Sequence, residues 1–255
     1  MRGLLRARGQ GAFEYVLLLG GILLVVVLVI VILRGGALSE ANVQVTNSTR
    51  TALALTSTPP VAGLLFLAHF NDELTGSSGE PVTSSFSVNF TTGVFGQGAN
   101  VTGPANLSYD TSGNFNREAG TVGAFVRFDA PFPAGSRTVF DTKPRAESDI
   151  NRVRLYVDAT HVHFTLVDAD NLLREVNYSY DTSIAAGAWH HYAASWDDAT
   201  NTLKLYFDGL LQNTSSALTW DLNETSLNYT AGVNATSNGL WLNGTLDEFV
   251  VYARQ

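Results

Sequence analysis

The sequence predicts an all-β fold, a two-sheet antiparallel sandwich, preceded by one hydrophobic N-terminal α-helix. Three observations carry this expectation. Residues 16–33 contain no charged side chain. From residue 61 onward, short runs rich in Val, Phe, Tyr, Leu and Thr alternate with Gly, Asp, Asn and Ser turns, which is the pattern of closely spaced strands. In the same region no apolar stripe keeps a helical period long enough to make an amphipathic helix.

The N-terminal element comes first. At ~1.5 Å per residue the uncharged run reaches ~27 Å, close to the ~30 Å hydrocarbon core of a bilayer. It is also longer than the ~7–15-residue apolar region of a removed secretory signal. Arg2, Arg6 and Arg8 precede it and Arg34 follows, so the charge bias places the N-terminus inside and the remainder outside. Glu14 stands at the lip of this run. A carboxylate costs about 2.5–3.5 kcal/mol at mid-bilayer and less near an interface, so such a residue usually has a partner. Cleavage between Gly9 and Gln10 creates one, the new α-amino group of Gln10 on a neighbouring copy. Gly20-Gly21 permits close helix approach.

The segment R-G-Q-G-A-F-E-Y at residues 8–15 resembles the class III signal peptide of archaeal type IV pilin-like proteins. In that family a basic-Gly pair precedes the cut, Gln often follows, and Glu is fifth in the mature chain. Here Arg8-Gly9, Gln10 and Glu14 take those places, with Ala12 where Ser is common. The resemblance implies a leader at 1–9, an assembly or transmembrane helix at 10–34, and roles for Gly9, Gln10 and Glu14 in processing and assembly. Gly35-Gly36 then allows a break, and a polar stalk or linker follows to residue 60, where Pro59-Pro60 ends any helix. A plain uncleaved signal anchor is the second reading, and a conventional signal peptide cut near Ala37 the third.

Composition narrows the outer part. The net charge is −8, yet residues 1–34 hold four arginines against one glutamate, so the acidity lies beyond them. An acidic domain disfavours nucleic acid or anionic lipid as partner. There is no cysteine, which excludes disulfides, thiolate metal sites and a cysteine nucleophile. Asn-X-Ser/Thr sequons begin at Asn47, Asn89, Asn100, Asn106, Asn177, Asn213, Asn223, Asn228, Asn234 and Asn243. This density fits a glycosylated surface protein, with Asn243 inside an expected turn and sterically closed.

The strands follow in order from about residue 61. Residues 64–72 read L-L-F-L-A-H-F-N-D, and 93–98 read G-V-F-G-Q-G ahead of an extended segment. Strands are expected over 123–129, 151–157 and 161–167, with D-A-D-N as the next turn. Residues 189–196 read W-H-H-Y-A-A-S-W and are followed by a strand at 202–207; Asp208-Gly209 is a short hairpin signal. Residues 243–254 read N-G-T-L-D-E-F-V-V-Y-A-R.

These segments, in this order, resemble the laminin-G-like, concanavalin A-like jelly rolls over residues 61–255. The resemblance implies that the first and last strands pair in one sheet and that Trp189 packs in the core. It also implies a structural calcium near those strands, with Asn71, Asp72 and Asp247 supplying part of the six to eight oxygens that the ion takes. Hydrolases that share the sandwich carry closely spaced Glu-X-Asp clusters on one strand, and none occurs here. Nor is there a Gly-X-Ser-X-Gly, a His-Glu-X-X-His or a phosphate loop, so the chain reads as a non-enzyme.

His161 and His163, two residues apart on an expected strand, point to one face. Two imidazoles make an incomplete zinc site, and the pair reads as sheet surface. His190 and His191 read as packing or solvent residues. Trp220 and Trp241 lie near turns and are the candidates for stacking on a sugar. Together these readings describe a cell-surface pilin-like structural or adhesion subunit. Its jelly roll is displayed outside the cytoplasmic membrane to a glycan or protein ligand, and its helix self-associates. The alternatives are a monomeric membrane-anchored lectin-like adhesin and, behind both, a carbohydrate-active enzyme.

Overall fold

A computed structural model describes residues 63–129, 135–143, 149–180, 186–216, 219–223, 228–232 and 242–253. Contacts divide the chain into two units, residues 1–58 and 59–255, and every described residue lies in the second. The expectations for the leader, the apolar helix and the stalk, with Gly9, Gln10, Glu14 and Asn47, therefore fall outside the described residues. So do Asn234 and Trp241. Among the described residues no helix is long and apolar enough to cross a membrane.

The described fold is all-β and antiparallel. The chain begins with β1 (Leu64–Ala68), the long β2 (Val82–Thr92) and β3 (Gln97–Asp110), then β4 (Ala119–Phe128) and β5 (Arg137–Asp141). It continues through β6 (Arg152–Val157), β7 (His161–Val167), β8 (Leu173–Ser179), β9 (Trp189–Asp197) and β10 (Thr202–Phe207). It ends with β11 (Leu210–Ser216), β12 (Asn228–Ala231) and β13 (Gly244–Tyr252). Hydrogen bonding orders these as β11-β10-β9-β4-β13-β3-β12-β5-β6-β7-β8, with β1 on β13 and β2 on β3.

This ribbon folds into two layers, and β3 belongs to both. Its first part pairs with β13, as Ala99 with Leu246, and its last part pairs with β12, as Ser108 with Thr230. The two ends of the ribbon then meet, β10 and β11 lying over β7 and β8. Rings interlock across the gap: Phe164 lies 6.2 Å from Trp196, Phe140 6.2 Å from Phe249, and Tyr178 5.9 Å from Phe207. Alternation makes this possible, because Val162, Phe164 and Leu166 of β7 are buried while His161 and His163 face out. The first and last strands pair antiparallel, Ala68 opposite Phe249.

Two local features agree with the sequence reading. Asp208 and Gly209 both have positive φ, 49° and 75°, the geometry of a tight type I′ hairpin turn. Asp168 closes the turn after β7, its Oδ1 accepting the Asp170 and Leu172 N–H groups. One expectation is corrected. Trp196, not Trp189, is the core tryptophan of β9: it is fully buried and stacks on Phe115 at 5.2 Å. The inward residues of β9 are Tyr192, Ala194 and Trp196, and residue 189 has the opposite parity. Trp189 is only partly buried, with the Arg127 guanidinium 5.1 Å from its ring centroid.

Candidate functional site

Five separated segments converge on a cleft of about 530 Å³, among them Leu65 of β1 and Ala253 just after β13. Residues 113–118 between β3 and β4 form one wall, Asp198 in the β9–β10 turn another, and Trp220, Asp221 and Leu222 the third. The loop before β4 is anchored from below, because Asn116 O accepts the Trp196 Nε1 proton at 3.1 Å and Asn116 Oδ1 accepts from Glu118 N at 2.9 Å. Asp198 N donates to Glu118 O at 2.8 Å, tying the β9–β10 turn to the same loop. The Arg117 guanidinium donates to the carbonyls of Leu222 and Asn223, so the third wall is tied to the first. Ala169 N donates to Asp221 O at 2.8 Å and Arg174 Nη2 to Thr219 O at 2.7 Å, which hold residues 219–221 against the β7–β8 turn.

The cleft is lined by aromatic and acidic groups together. Phe115 and Trp220 contribute rings; Glu118, Asp198 and Asp221 contribute carboxyl groups. The Asp198 carboxyl is pushed up from the ordinary aspartate range, first by partial burial and then by the charges of Asp221, Glu118 and Asp197. Trp220 Nε1 is buried without a hydrogen-bond partner among the described residues. Carboxylates that accept from hydroxyl groups, beside apolar ring surface, are the means by which a protein holds a polyhydroxylated ligand.

Of the expected stacking residues, Trp220 does line this cleft, but with only 7% of its surface exposed. It is part of the wall and not an open stacking platform, because residues 219–222 fold back against the β7–β8 turn. The other cleft residues were not evident as a group. Asp197-Asp198 reads as a turn with diverging side chains, and indeed Asp197 Oδ1 accepts from Thr200 N while Asp198 faces the cleft. What brings Glu118, Asp198 and Asp221 together is sheet topology.

The residues expected around calcium also converge, on the 93–97 turn. Asp247 is fully buried; its Oδ2 accepts from Val94 N at 2.8 Å and Phe95 N at 3.0 Å, and its Oδ1 from Glu248 N at 2.9 Å. Asn71 Oδ1 accepts from Gln97 N at 2.8 Å, while Asp72 N donates to Gln97 Oε1 at 3.1 Å. A calcium shell needs oxygens that face the ion and no donors that do. Here the Asp247 and Asn71 oxygens already receive backbone N–H groups and the exposed Asp72 carboxylate takes no part, so this arrangement does not fit the ion. The three residues instead clamp the turn that precedes β3.

The sequons divide by setting. Asn89, Asn177, Asn213 and Asn223 are exposed, Asn100 and Asn228 partly buried, and Asn106 lies within β3. Asn213 Nδ2 donates to Asn177 O at 2.7 Å and Asn100 Nδ2 to Asp129 Oδ2 at 3.2 Å. Asn243 has φ 46°, immediately before β13.

Residues 96–255 match the family model of the concanavalin A-like lectin/glucanases superfamily, Laminin_G_3. The chain belongs to this family. Solved structures with the same sandwich include the botulinum neurotoxin serotype D binding domain, at 13% identity and a TM-score of 0.59, covering 76% of this chain and 49% of that one. Another is the botulinum neurotoxin type G receptor binding domain, at 14% identity and a TM-score of 0.57, covering 76% and 48%. A third is the binding domain of botulinum neurotoxin DC in complex with SialylT, at 16% identity and a TM-score of 0.57, covering 76% and 48%. This superfamily member thus spans about half the length of those chains, and at such identities the likeness concerns the fold. A search among curated proteins finds no significant match.

Proposed function

We propose that the jelly roll is a glycan-binding module of the lectin type, held outside the membrane by the N-terminal apolar run, and that it is not an enzyme. The observation that carries this reading is the cleft of Phe115, Glu118, Asp198, Trp220 and Asp221. It has ring surface and hydroxyl acceptors, and Arg117 is turned to carbonyls. The likeness to neurotoxin binding domains, one of them in complex with SialylT, supports a binding role. Sequon density supports a glycosylated surface location, with the exposed Asn89 and Asn177 as the favoured sites.

A glycan array probed with the detergent-solubilised full chain tests the binding. We expect retention of a defined glycan class that is insensitive to calcium chelation. Trp220→Ala and Asp221→Asn should each weaken it by about tenfold or more. Binding unchanged by both variants places the ligand elsewhere, and release of sugar products from any bound glycan overturns the non-enzymatic reading.

The pilin-like role rests on residues 6–33 alone. On that reading the mature chain begins at Gln10 and assembles through its helix, with Glu14 against the Gln10 amine of a neighbour. N-terminal sequencing separates this from the monomeric anchor, which keeps its Met1 or Arg2 end.

A further inference from the structure

The outer face of the β6–β7–β8 sheet carries a second constellation, away from the cleft. Asp158 in the β6–β7 turn, His161 and His163 bring one ligand atom each to within 4.8 Å of one another. We propose that these three side chains bind a divalent transition ion of the zinc type, with Glu175 of β8 holding the His163 ring.

Each donor is fixed by an outer partner. Asp158 Oδ1 accepts from Thr160 N and His161 N, both at 2.8 Å, which leaves Oδ2 facing His163 Nε2 at 2.9 Å. His163 stacks on Tyr156 with ring centroids 4.6 Å apart and an angle of 8°. Its Nδ1 lies 2.6 Å from Glu175 Oε1. His161 Nδ1 lies 2.8 Å from Thr160 Oγ1.

Both nitrogens of His163 face carboxylate oxygens. A neutral imidazole has a single N–H. Given to Glu175, that proton leaves an Nε2 lone pair directed at the Asp158 oxygen. Either a second proton, giving an imidazolium that donates to both carboxylates, or a cation shared by Nε2 and Oδ2 satisfies this arrangement; with the cation, the Nδ1–H to Glu175 bond is the usual carboxylate–histidine–metal arrangement. The second imidazole supplies a third ligand of the same borderline softness, which favours zinc, copper or nickel over calcium or magnesium. In a tetrahedral shell with bonds of ~2.0–2.2 Å, neighbouring ligands lie ~3.3–3.6 Å apart, so small side-chain rotations close the site. The Asp158 side chain is 34% exposed, leaving the fourth position open to solvent or to a ligand atom.

Calorimetric titration of zinc into the metal-stripped full chain in detergent tests this. The expected result is one ion per chain, with binding weakened by about tenfold or more in Asp158→Asn and in His161→Ala. Glu175→Gln should lower the affinity by about 10–100-fold and keep the stoichiometry. His190→Ala, at another histidine–carboxylate pair, 2.9 Å from Asp208, should change nothing. In the unmutated chain, zinc should shift the ring ¹⁵N resonances of His161 and His163 and of no other histidine. No saturable zinc binding, binding that survives His161→Ala, or unshifted His161 and His163 rings each overturn the proposal.

Discussion

At the scale of single residues, the two acids of β13 show how burial changes what a carboxylate is for. Asp247 and Glu248 are both buried, and Glu248 adopts a φ of 49° where the pairing of β13 with β4 slips. That slip lets the neighbouring side chains part, Asp247 to the 93–95 backbone and Glu248 to His69 Nδ1 at 2.9 Å. Burial pushes the Asp247 carboxyl up from 3.8 to about 7; the Phe95 and Val94 N–H groups pull against it, and the charge of Glu248 adds to it. In the unfolded chain the group loses its proton near 3.8, so from about pH 4 to 7 the folded state holds more protons. Stability from this group therefore falls as pH rises through that window and is level on either side. His69, raised first by its hydrogen bond to Glu248, contributes in the same direction at higher pH. Chemical denaturation of the wild type and of Asp247→Asn across pH 3–9 isolates the Asp247 contribution, because between pH 4 and 7 the wild type should lose midpoint relative to the variant. Parallel curves there would show that the carboxyl is not raised.

At the scale of elements, β4 and β9 are matched by size. Gly120 sits opposite Trp196 in the register, and a Cβ there would stand 2.3 Å from the indole ring. The indole has nowhere to move, since Phe115 stacks on it and its Nε1 is bonded to Asn116 O. Gly120→Ala should therefore destabilise by ~1–3 kcal/mol or more, the cost of an overpacked core, read as a lower urea midpoint. A neutral result would mean that the 113–118 loop yields, and it would then weaken the cleft wall. The element scale also explains which strands were readable. β7 and β10 each alternate over their first four residues, and β13 is apolar along much of its length. By contrast β8 buries only Arg174 and Val176, and β11 has no buried residue. These two are strands because β7 and β10 offer them backbone partners, a non-local cause that leaves no apolar period of its own.

At the scale of the whole molecule, closure depends on the chain's first described strand. β1 pairs with β13 and inserts Phe66 among Tyr109, Tyr229 and Phe249, with ring centroids 4.5–5.9 Å apart. Residues nearly two hundred positions apart thus share one edge and one aromatic cluster. Deleting β1 (Leu64–Ala68) should abolish the cooperative unfolding transition and the near-ultraviolet signal of the packed rings, because it opens the buried edge of β13 and empties the Phe66 position. Retention of a single sharp transition would show that β13 is secured by β3 and β4 alone.

Local chemistry is written into the order of residues and needs no partner to be read. The period-2 runs, the Asp208-Gly209 turn, the uncharged segment at 16–33 and the acidic, cysteine-free composition follow from side-chain type and spacing. The pairing of the terminal strands was implied by the resemblance to the jelly rolls, and Ala68 does lie opposite Phe249. Assembly across the sandwich is a different matter. Whether Trp189 or Trp196 faces the core is a question of which face of β9 meets the other layer, and one residue of register reverses the answer. Asn71 and Asp247 became a clamp on the 93–97 turn because backbone N–H groups, which no sequence pattern displays, reach their oxygens first. Glu118, Asp198 and Asp221 share a cleft, and Asp158 and Glu175 flank His163, because turns and neighbouring strands bring distant carboxylates together. Such convergence is set by topology, so it appears only when the sheet is closed.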